Sequence, residues 1–398
     1  MLPEVVRQRD FRLLFGAFAV SVVGDRMVTI ALAFAVLELG GSASEVGIVL
    51  ACRTLPLVGS LLIGGVVADR VSRQSVMVAA DLARLASQGT LGLLLIAGEP
   101  PVWALAVLSG LTGIGTGFFN PASTGLMPAV VAPELLQQAN GLRATAMSGG
   151  EIIGPALAGV LVASAGAGWA LAIDGATFGV SAAFLARLRL PPRLPRAGTS
   201  FLHDLRTGWG EFRSRRWVWS VVLAASLGNL LWSAFSVLGP VVAQQDLGGA
   251  AVWGSVMAAM GVGALAGALI AIRVRPRRPL VLSLLASAMF AAPPALLAAG
   301  APPALIAVGT FLAGGGMMLG TSLYESTFQR RIPADVLSRV ASYDWFGSLA
   351  LQPVGLAIWG PIALAIGIDE ALWVAAALLL VSILAPLALR EVRTMPGD

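Results

Sequence analysis

The sequence has one cysteine, Cys52, one histidine, His203, and no lysine among its 398 residues. A lone cysteine makes no intramolecular disulfide, and with a single histidine it cannot build a zinc site on Cys and His. Nucleophilic catalysis with a histidine base has no candidate, since His203 lies in a polar segment at the middle of the chain. A Gly-rich phosphate loop of the Walker type is also missing. Neither an enzyme nor a cofactor is therefore expected. Charge is scarce as well: 12% of residues are Asp, Glu, Lys or Arg, against about 25% in a soluble domain. The formal net charge of +5 does not indicate nucleic acid, because the arginines are spread over several short segments instead of one exposed face.

What is present is apolar sequence. Hydrophobic residues make up 57% of the chain, and mean hydropathy is +0.85. A helix of about 20 apolar residues crosses the ~30 Å hydrocarbon layer. Such stretches occur at 13–39, 46–69, 75–98, 102–127, 137–164, 168–188, 217–245, 250–273, 279–299, 303–328, 338–366 and 370–389. The expected fold class is an all-α membrane protein with twelve transmembrane helices in a lipid bilayer. Arg7, Arg9 and Arg12 precede a first apolar run far longer than a signal-peptide core, so it is read as an uncleaved span.

Short loops rich in basic residues stay cytoplasmic. One set of segments carries Arg7, Arg9, Arg12, Arg70, Arg73, the arginines of 187–216 and 273–278, Arg330, Arg331, Arg339, Arg390 and Arg393, whereas the opposite loops carry none. Both termini are accordingly expected in the cytoplasm, and the protein in the inner (plasma) membrane. Trp103, Trp169, Trp253 and Trp373 at outer span ends, with Trp217 and Trp219 at an inner end, have the placement of interfacial anchors.

The longest polar segment, 189–216, separates an N-terminal six-span bundle, 1–188, from a C-terminal one, 217–398. Pro191, Pro192 and Pro195 keep its start extended. Phe201, Leu202, Leu205, Trp209 and Phe212 then recur at helical spacing among arginines, as in a helix lying on the inner leaflet. A repeat shifted by about 200 residues points to pseudo-symmetric halves: Pro133-Glu134-Leu135 matches Pro333-Ala334-Asp335, and Gly113 and Gly117 match Gly316 and Gly320. Two duplicated bundles are the arrangement that rocks around a site near the membrane midplane.

The segment from Gly65 through Asp69 and Arg70 to Arg73 ends span 2 and turns into span 3. Its Gly allows close packing, and Asp69 is placed to accept hydrogen bonds at a neighbouring helix N-terminus. It resembles the loop signature of the major facilitator superfamily, with Ser72 where glycine is usual; the resemblance implies a latch between two halves. Span 5 carries Gly141, Gly150, Gly154-Pro155 and Gly159. That spacing is similar to the antiporter motif of proton-coupled drug exporters in the same superfamily, with Ala158 in place of one glycine. Glycines at these intervals bare one helix face, and the proline bends it. Arg9-Asp10-Phe11-Arg12, Gly24-Asp25 and Ala80-Asp81-Leu82-Ala83-Arg84 look like the subgroup of exporters that handles enterobactin and macrolides. Span 4 lacks the arginine many drug antiporters place there. The resemblance covers essentially the whole chain and implies the major facilitator fold and outward transport.

A charge at a helix centre costs about 2.5–3.5 kcal/mol on insertion scales and is a functional candidate by default. Asp25, Arg26, Arg53, Glu151 and Asp174 fall at overlapping heights in the first half. Spans 1 and 5 are neighbours in the family fold, so Asp25, Arg26 and Glu151 are expected to cluster as the proton-coupling group, with Asp25 first and Glu151 second as carrier. Burial favours a protonated carboxyl and a nearby guanidinium the ionised one, so an Arg partner that moves between states couples protonation to conformation. Asp81 and Arg84 have the spacing of a structural pair, while Asp174 and Arg53 lie high enough to snorkel outward. In the family the cavity is lined by spans 1, 4, 7 and 10. The substrate-binding candidates there are Phe118, Asn120, Asn229, Trp232, Phe235, Met317 and Tyr324, since Met and aromatic surfaces suit varied amphipathic ligands. The expected activity is export of an amphipathic small molecule, a drug, antibiotic or siderophore, in exchange for protons by a monomer. A uniporter or importer of the same fold, and a receptor or scaffold that does not transport, are the alternatives.

Overall fold

The computed structural model describes residues 4–189 and 209–397. In the first half the long helices are α1 (Arg9–Glu38), α2 (Ala43–Arg70), α3 (Arg73–Ala97), α4 (Val102–Val130), α5 (Leu136–Ala165) and α6 (Ala167–Ala186). The second half has α7 (Arg216–Val242), α8 (Ala250–Arg273), α9 (Pro279–Ser287), α10 (Ala292–Ala298), α11 (Pro303–Arg331), α12 (Ala334–Leu349), α13 (Gln352–Ile366) and α14 (Ile368–Leu384). The chain divides into two compact units: Met1–Arg196 with Gly248–Gly254, and Ala197–Leu247 with Ser255–Asp398.

Eleven segments of the described residues are long and apolar enough to cross a membrane. The exception among the twelve expected spans is α3. Its 25 residues reach ~37 Å, but Asp81, Arg84, Ser87 and Gln88 lower its hydropathy, and all four are buried. Two expected spans are also interrupted. The ninth passes through a 3₁₀ turn, Ala288–Ala291, ahead of Pro293-Pro294, and the eleventh breaks between Leu349 and Gln352 ahead of Pro353. Proline has no N–H to give and its ring crowds the carbonyl one turn back, so neither helix continues unbroken through it.

Local signals set the connections. Ser42 and Glu45 cap the start of α2 reciprocally, the Ser42 N–H donating to Glu45 Oε2 at 2.8 Å. Ser72 caps α3, which explains serine where the loop signature has glycine. Gly166, between α5 and α6, and Gly367, between α13 and α14, turn at φ 89° and 100°, where a side chain is strained. Corresponding turns of the two halves thus use the same device.

The small-residue repeat is present at a corrected register. Gly113 and Gly117 in α4 lie against α2, at the Arg53 and Leu57 carbonyls, whereas Gly316 and Gly320 in α11 lie against α9, at the Ala286 and Ser283 carbonyls. The equivalent of Gly113 is Gly314, which meets the Met260 carbonyl in α8, and the equivalent of Gly316 is Gly115, which meets Ala80 and Arg84 in α3. The anchors also need correction. Trp103, Trp169, Trp219 and Trp373 are exposed, but Trp253 and Trp217 are buried, Trp217 edge-on to Tyr324 and Phe328. Phe201, Leu202 and Leu205 of the expected surface helix lie outside the described residues. Phe212, on a short helix at 209–214, is buried in an apolar cluster of the second unit beside Tyr343.

Candidate functional site

The site grows from the polar stripe of α3. Asp81, Arg84, Ser87 and Gln88 recur at three, six and seven residues, which places them along one helix face. Ser87 and Thr112 of α4 are hydrogen-bonded at 2.8 Å, and Thr112 donates to Gln88 Oε1 at 3.2 Å. Below them the Arg84 guanidinium is 1% exposed and ion-paired with Asp81. Its carbon lies 4.3 Å from the Phe119 ring centre and 4.1 Å from that of Phe178, so the cation is sandwiched between two ring faces.

Asp25 of α1 joins this stripe. Its Oδ1 accepts from Arg53 Nη2 of α2 at 3.4 Å, and its Oδ2 is 3.7 Å from Arg84 Nη1. On the adjoining face of α1, Arg26 pairs with Glu151 of α5 at 3.3 Å. Gly154 makes room for it, since a Cβ there would stand 2.5 Å from the Arg26 Cβ. Asp174 of α6 completes the cluster. It is fully buried, and it occupies the space a side chain at Gly24 would fill.

The expected grouping of Asp25, Arg26 and Glu151 is therefore corrected. Asp25 and Arg26 point to different partners, as their ~100° separation on a helix requires, and Glu151 joins Arg26 alone. Arg53 and Asp174 do not snorkel: Arg53 turns inward to Asp25, and Asp174 has no exposed surface. The Asp81–Arg84 pair forms at its expected spacing. Sequence reasoning missed that Arg84, Arg53 and Asp174 belong to one cluster with Asp25. The heights of Arg53 and Asp174 carried part of that signal, but their helix phase did not.

Several groups in the cluster have hydrogen-bonding capacity to spare. Both Asp174 carboxylate oxygens, Asp81 Oδ2, Arg53 Nη1 and Arg84 Nε are buried without a partner among the described residues. Unspent donors beside unspent acceptors allow partners to be exchanged within the cluster. Among the described residues no group of three His, Cys, Asp or Glu is arranged to hold a metal ion.

The remaining candidates are scattered. The side chains of Gly65, Asp69 and Arg70 lie outside the described residues, and Arg73 begins α3. Along α5, Gly150 meets Val22 of α1, while Gly159 meets Ala250 and Gly254, a stretch that groups with the same unit; Pro155 is buried and Gly141 has open space around it. Phe118 lines an apolar cavity of ≈ 560 Å³ walled by α2, α3 and α4. Asn120, two residues further along α4, is exposed. In the second unit the Asn229 amide is spent on the Ala225 and Ser348 carbonyls, at 3.1 and 3.0 Å, which ties α7 to α12. Trp232 stacks on Phe290 at 3.9 Å and lies tilted against Phe235, which is fully buried, so these two rings pack the helices here. Met317 is half-buried, and Tyr324 donates to Asp344 at 2.5 Å.

Known proteins resemble the chain at three levels. The enterobactin exporter EntS of Escherichia coli O1:K1 is 32% identical over 289 residues, covering 69% of this chain and 67% of that protein. Macrolide efflux protein A of Streptococcus pyogenes is 24% identical over 245 residues, covering 61% of this chain, and the match spans only 60% of that relative's length. Among solved structures, the nucleoside transporter NupG aligns with a TM-score of 0.72 at 13% identity, covering 96% of this chain and 98% of the other. A bacterial homologue of the lysosomal transporter Spinster aligns at 0.71 and 15% identity, covering 96% and 95%. At such identities these two attest the fold alone. The model of the Major Facilitator Superfamily matches residues 14–348, and with this helical architecture and these exporting relatives the chain belongs to that superfamily of membrane transporters.

Proposed function

We propose that this transporter exports an amphipathic small molecule in exchange for protons. The observation that carries the reading is the charge cluster of the first unit, where buried Asp81, Arg84 and Asp174 and partly buried Asp25 and Arg53 lie together inside an apolar bundle. A membrane protein holds such a cluster at a cost of several kcal/mol on the scale of ~2.5–3.5 per charge, and a cluster with unspent donors and acceptors is suited to exchange protons for conformational change. The relatives named for macrolide efflux and enterobactin export support outward transport of bulky, partly apolar compounds.

In the proposed cycle the bundles 1–188 and 217–398 rock about the linker 189–216 and open a midplane cavity alternately to each side. Asp25 exchanges its guanidinium partners as the cavity changes sides. Gly150, Gly154 and Gly159 of α5 give the close packing that the bundles need, and Gly65, Asp69, Arg70 and Arg73 latch the closed inner side. Phe118, Asn120, Met317 and Tyr324 are the substrate contacts retained from the candidate set. Protein in the inner membrane with both termini cytoplasmic would take its protons from outside.

Proteoliposomes loaded with a macrolide or a catecholate siderophore, under an imposed pH gradient, provide the test. Substrate flux that follows the proton gradient, with protons moving oppositely, is the expected result. Flux indifferent to the gradient would establish a uniporter, and binding without any flux a receptor.

A further inference from the structure

We propose that Asp174 is the proton-binding carboxyl of the first unit and carries its proton in the form described here. The role given to that proton in transport rests on the antiport reading above; the site itself rests on charge balance and geometry. Three carboxyls, Asp25, Asp81 and Asp174, adjoin two guanidiniums, Arg53 and Arg84. Asp81, Arg84 and Asp174 are buried, while Asp25 and Arg53 are partly exposed; with all five ionised the cluster holds one negative charge in excess, 3 − 2 = 1, and one proton neutralises it. Asp25 and Asp81 each have a guanidinium within ion-pair distance, whereas among the described residues Asp174 has neither an ion pair nor a hydrogen bond on either oxygen. An ionised carboxylate so placed loses its hydration, and guanidiniums beyond ion-pair distance, already paired with Asp25 and Asp81, return only part of that cost. The proton therefore belongs on Asp174.

The surroundings of Asp174 fit this assignment. Gly24 of α1 leaves the space the carboxyl fills. The Thr177 hydroxyl, one turn along α6, donates to the Asp174 backbone carbonyl at 2.7 Å and is not available to the side chain. The charged groups facing Asp174 are Asp25 from α1, Arg53 from α2 and Arg84 from α3; from α5, Glu151 is committed to Arg26. Among the described residues Arg53 Nη1 and Arg84 Nε have no hydrogen-bond partner. Moving one guanidinium from Asp25 toward Asp174 would supply the missing counter-charge and release the proton, so the site responds to the same partner exchange that a change of cavity orientation imposes.

Infrared spectroscopy of the purified full-length protein in lipid nanodiscs reads the carbonyl stretch of protonated carboxyls directly. The wild type is expected to show such a band at neutral pH. Asp174→Asn should lose it, Glu151→Gln should retain it, and Asp25→Asn should weaken it, because two carboxyls then face two guanidiniums. A wild type without the band, or an Asp174→Asn variant that keeps it, overturns the proposal, as does a spectrum that changes with sodium at fixed pH, which would mark a cation site. The wild-type measurement stands even if a variant does not fold. Gradient-driven efflux is measured in parallel: a band without such efflux sinks antiport and leaves the proton site, while efflux without the band sinks the site and leaves antiport.

Discussion

Asp25 is the residue on which both guanidiniums converge, and its amide substitution separates charge from shape. Asp25→Asn is expected to abolish efflux driven by a pH gradient while leaving ligand binding within a few-fold of wild type. Efflux assays and equilibrium binding on the same preparation check this, and undiminished gradient-driven efflux would refute the role. Arg84 serves a different purpose, because it is 1% exposed and held by Asp81, Phe119 and Phe178. Removing one partner of a buried pair strands the other at about 3–5 kcal/mol. Arg84→Met should therefore lower stability toward unfolding in detergent by roughly that amount. The double variant Arg84→Met/Asp81→Asn should recover most of it, since both charges are then gone. The Asp81–Arg84 pair was readable from a three-residue spacing in one helix. The partners of Asp25 were not, because the angle at which neighbouring helices present their faces is absent from any one stretch of sequence.

At the scale of elements, close helix contacts are made by backbone against backbone wherever glycine removes the Cβ. Gly113 in α4 approaches the Arg53 carbonyl in α2, and Gly314 in α11 approaches the Met260 carbonyl in α8. Packing in a membrane depends on such contacts, since lipid tails supply no hydrophobic drive between helices. Gly113→Leu and Gly314→Leu should each force a helix pair apart and sharply reduce the yield of folded protein, as read by size-exclusion chromatography. Gly141 makes no such contact. Gly141→Ala should be tolerated or stabilising by up to ~1 kcal/mol from helix propensity, and normal efflux in that variant would separate the structural glycines of α5 from its spare one. Apolar length revealed eleven of these segments directly. The third, 75–98, was read among the apolar stretches although Asp81, Arg84, Ser87 and Gln88 make it the most polar, and the breaks ahead of Pro293 and Pro353 needed weight given to proline inside an apolar run.

For the whole molecule, the arginine asymmetry predicts sidedness and the buried charges predict energetics. Reporter tags fused at both ends should be accessible only from the cytoplasm; an external C-terminal tag would reverse the assigned topology. An inward-directed proton gradient should drive efflux and a protonophore should stop it, whereas ATP should have no direct effect. The two units differ in charge as well as position. Among the described residues the first unit has ion pairs inside its spans, and the second presents packed aromatics and the Tyr324–Asp344 bond. Proton handling and substrate contact are thus expected to divide unequally between them, and aromatic substitutions in α11 should change substrate preference before they change gradient dependence.

The sequence by itself determined that the chain spans a membrane many times, that its arginines gather on one set of loops, and which family it resembles. These follow from composition, run length and short motifs, all of which are local. Only the tertiary structure decided that Asp25 meets Arg53 and Arg84, that Glu151 meets Arg26, and that Asp174 is buried with no direct ion pair or hydrogen bond among the described residues. Those outcomes depend on the rotation and depth of one helix against another, which packing fixes to within a fraction of a turn and which no single run of residues encodes.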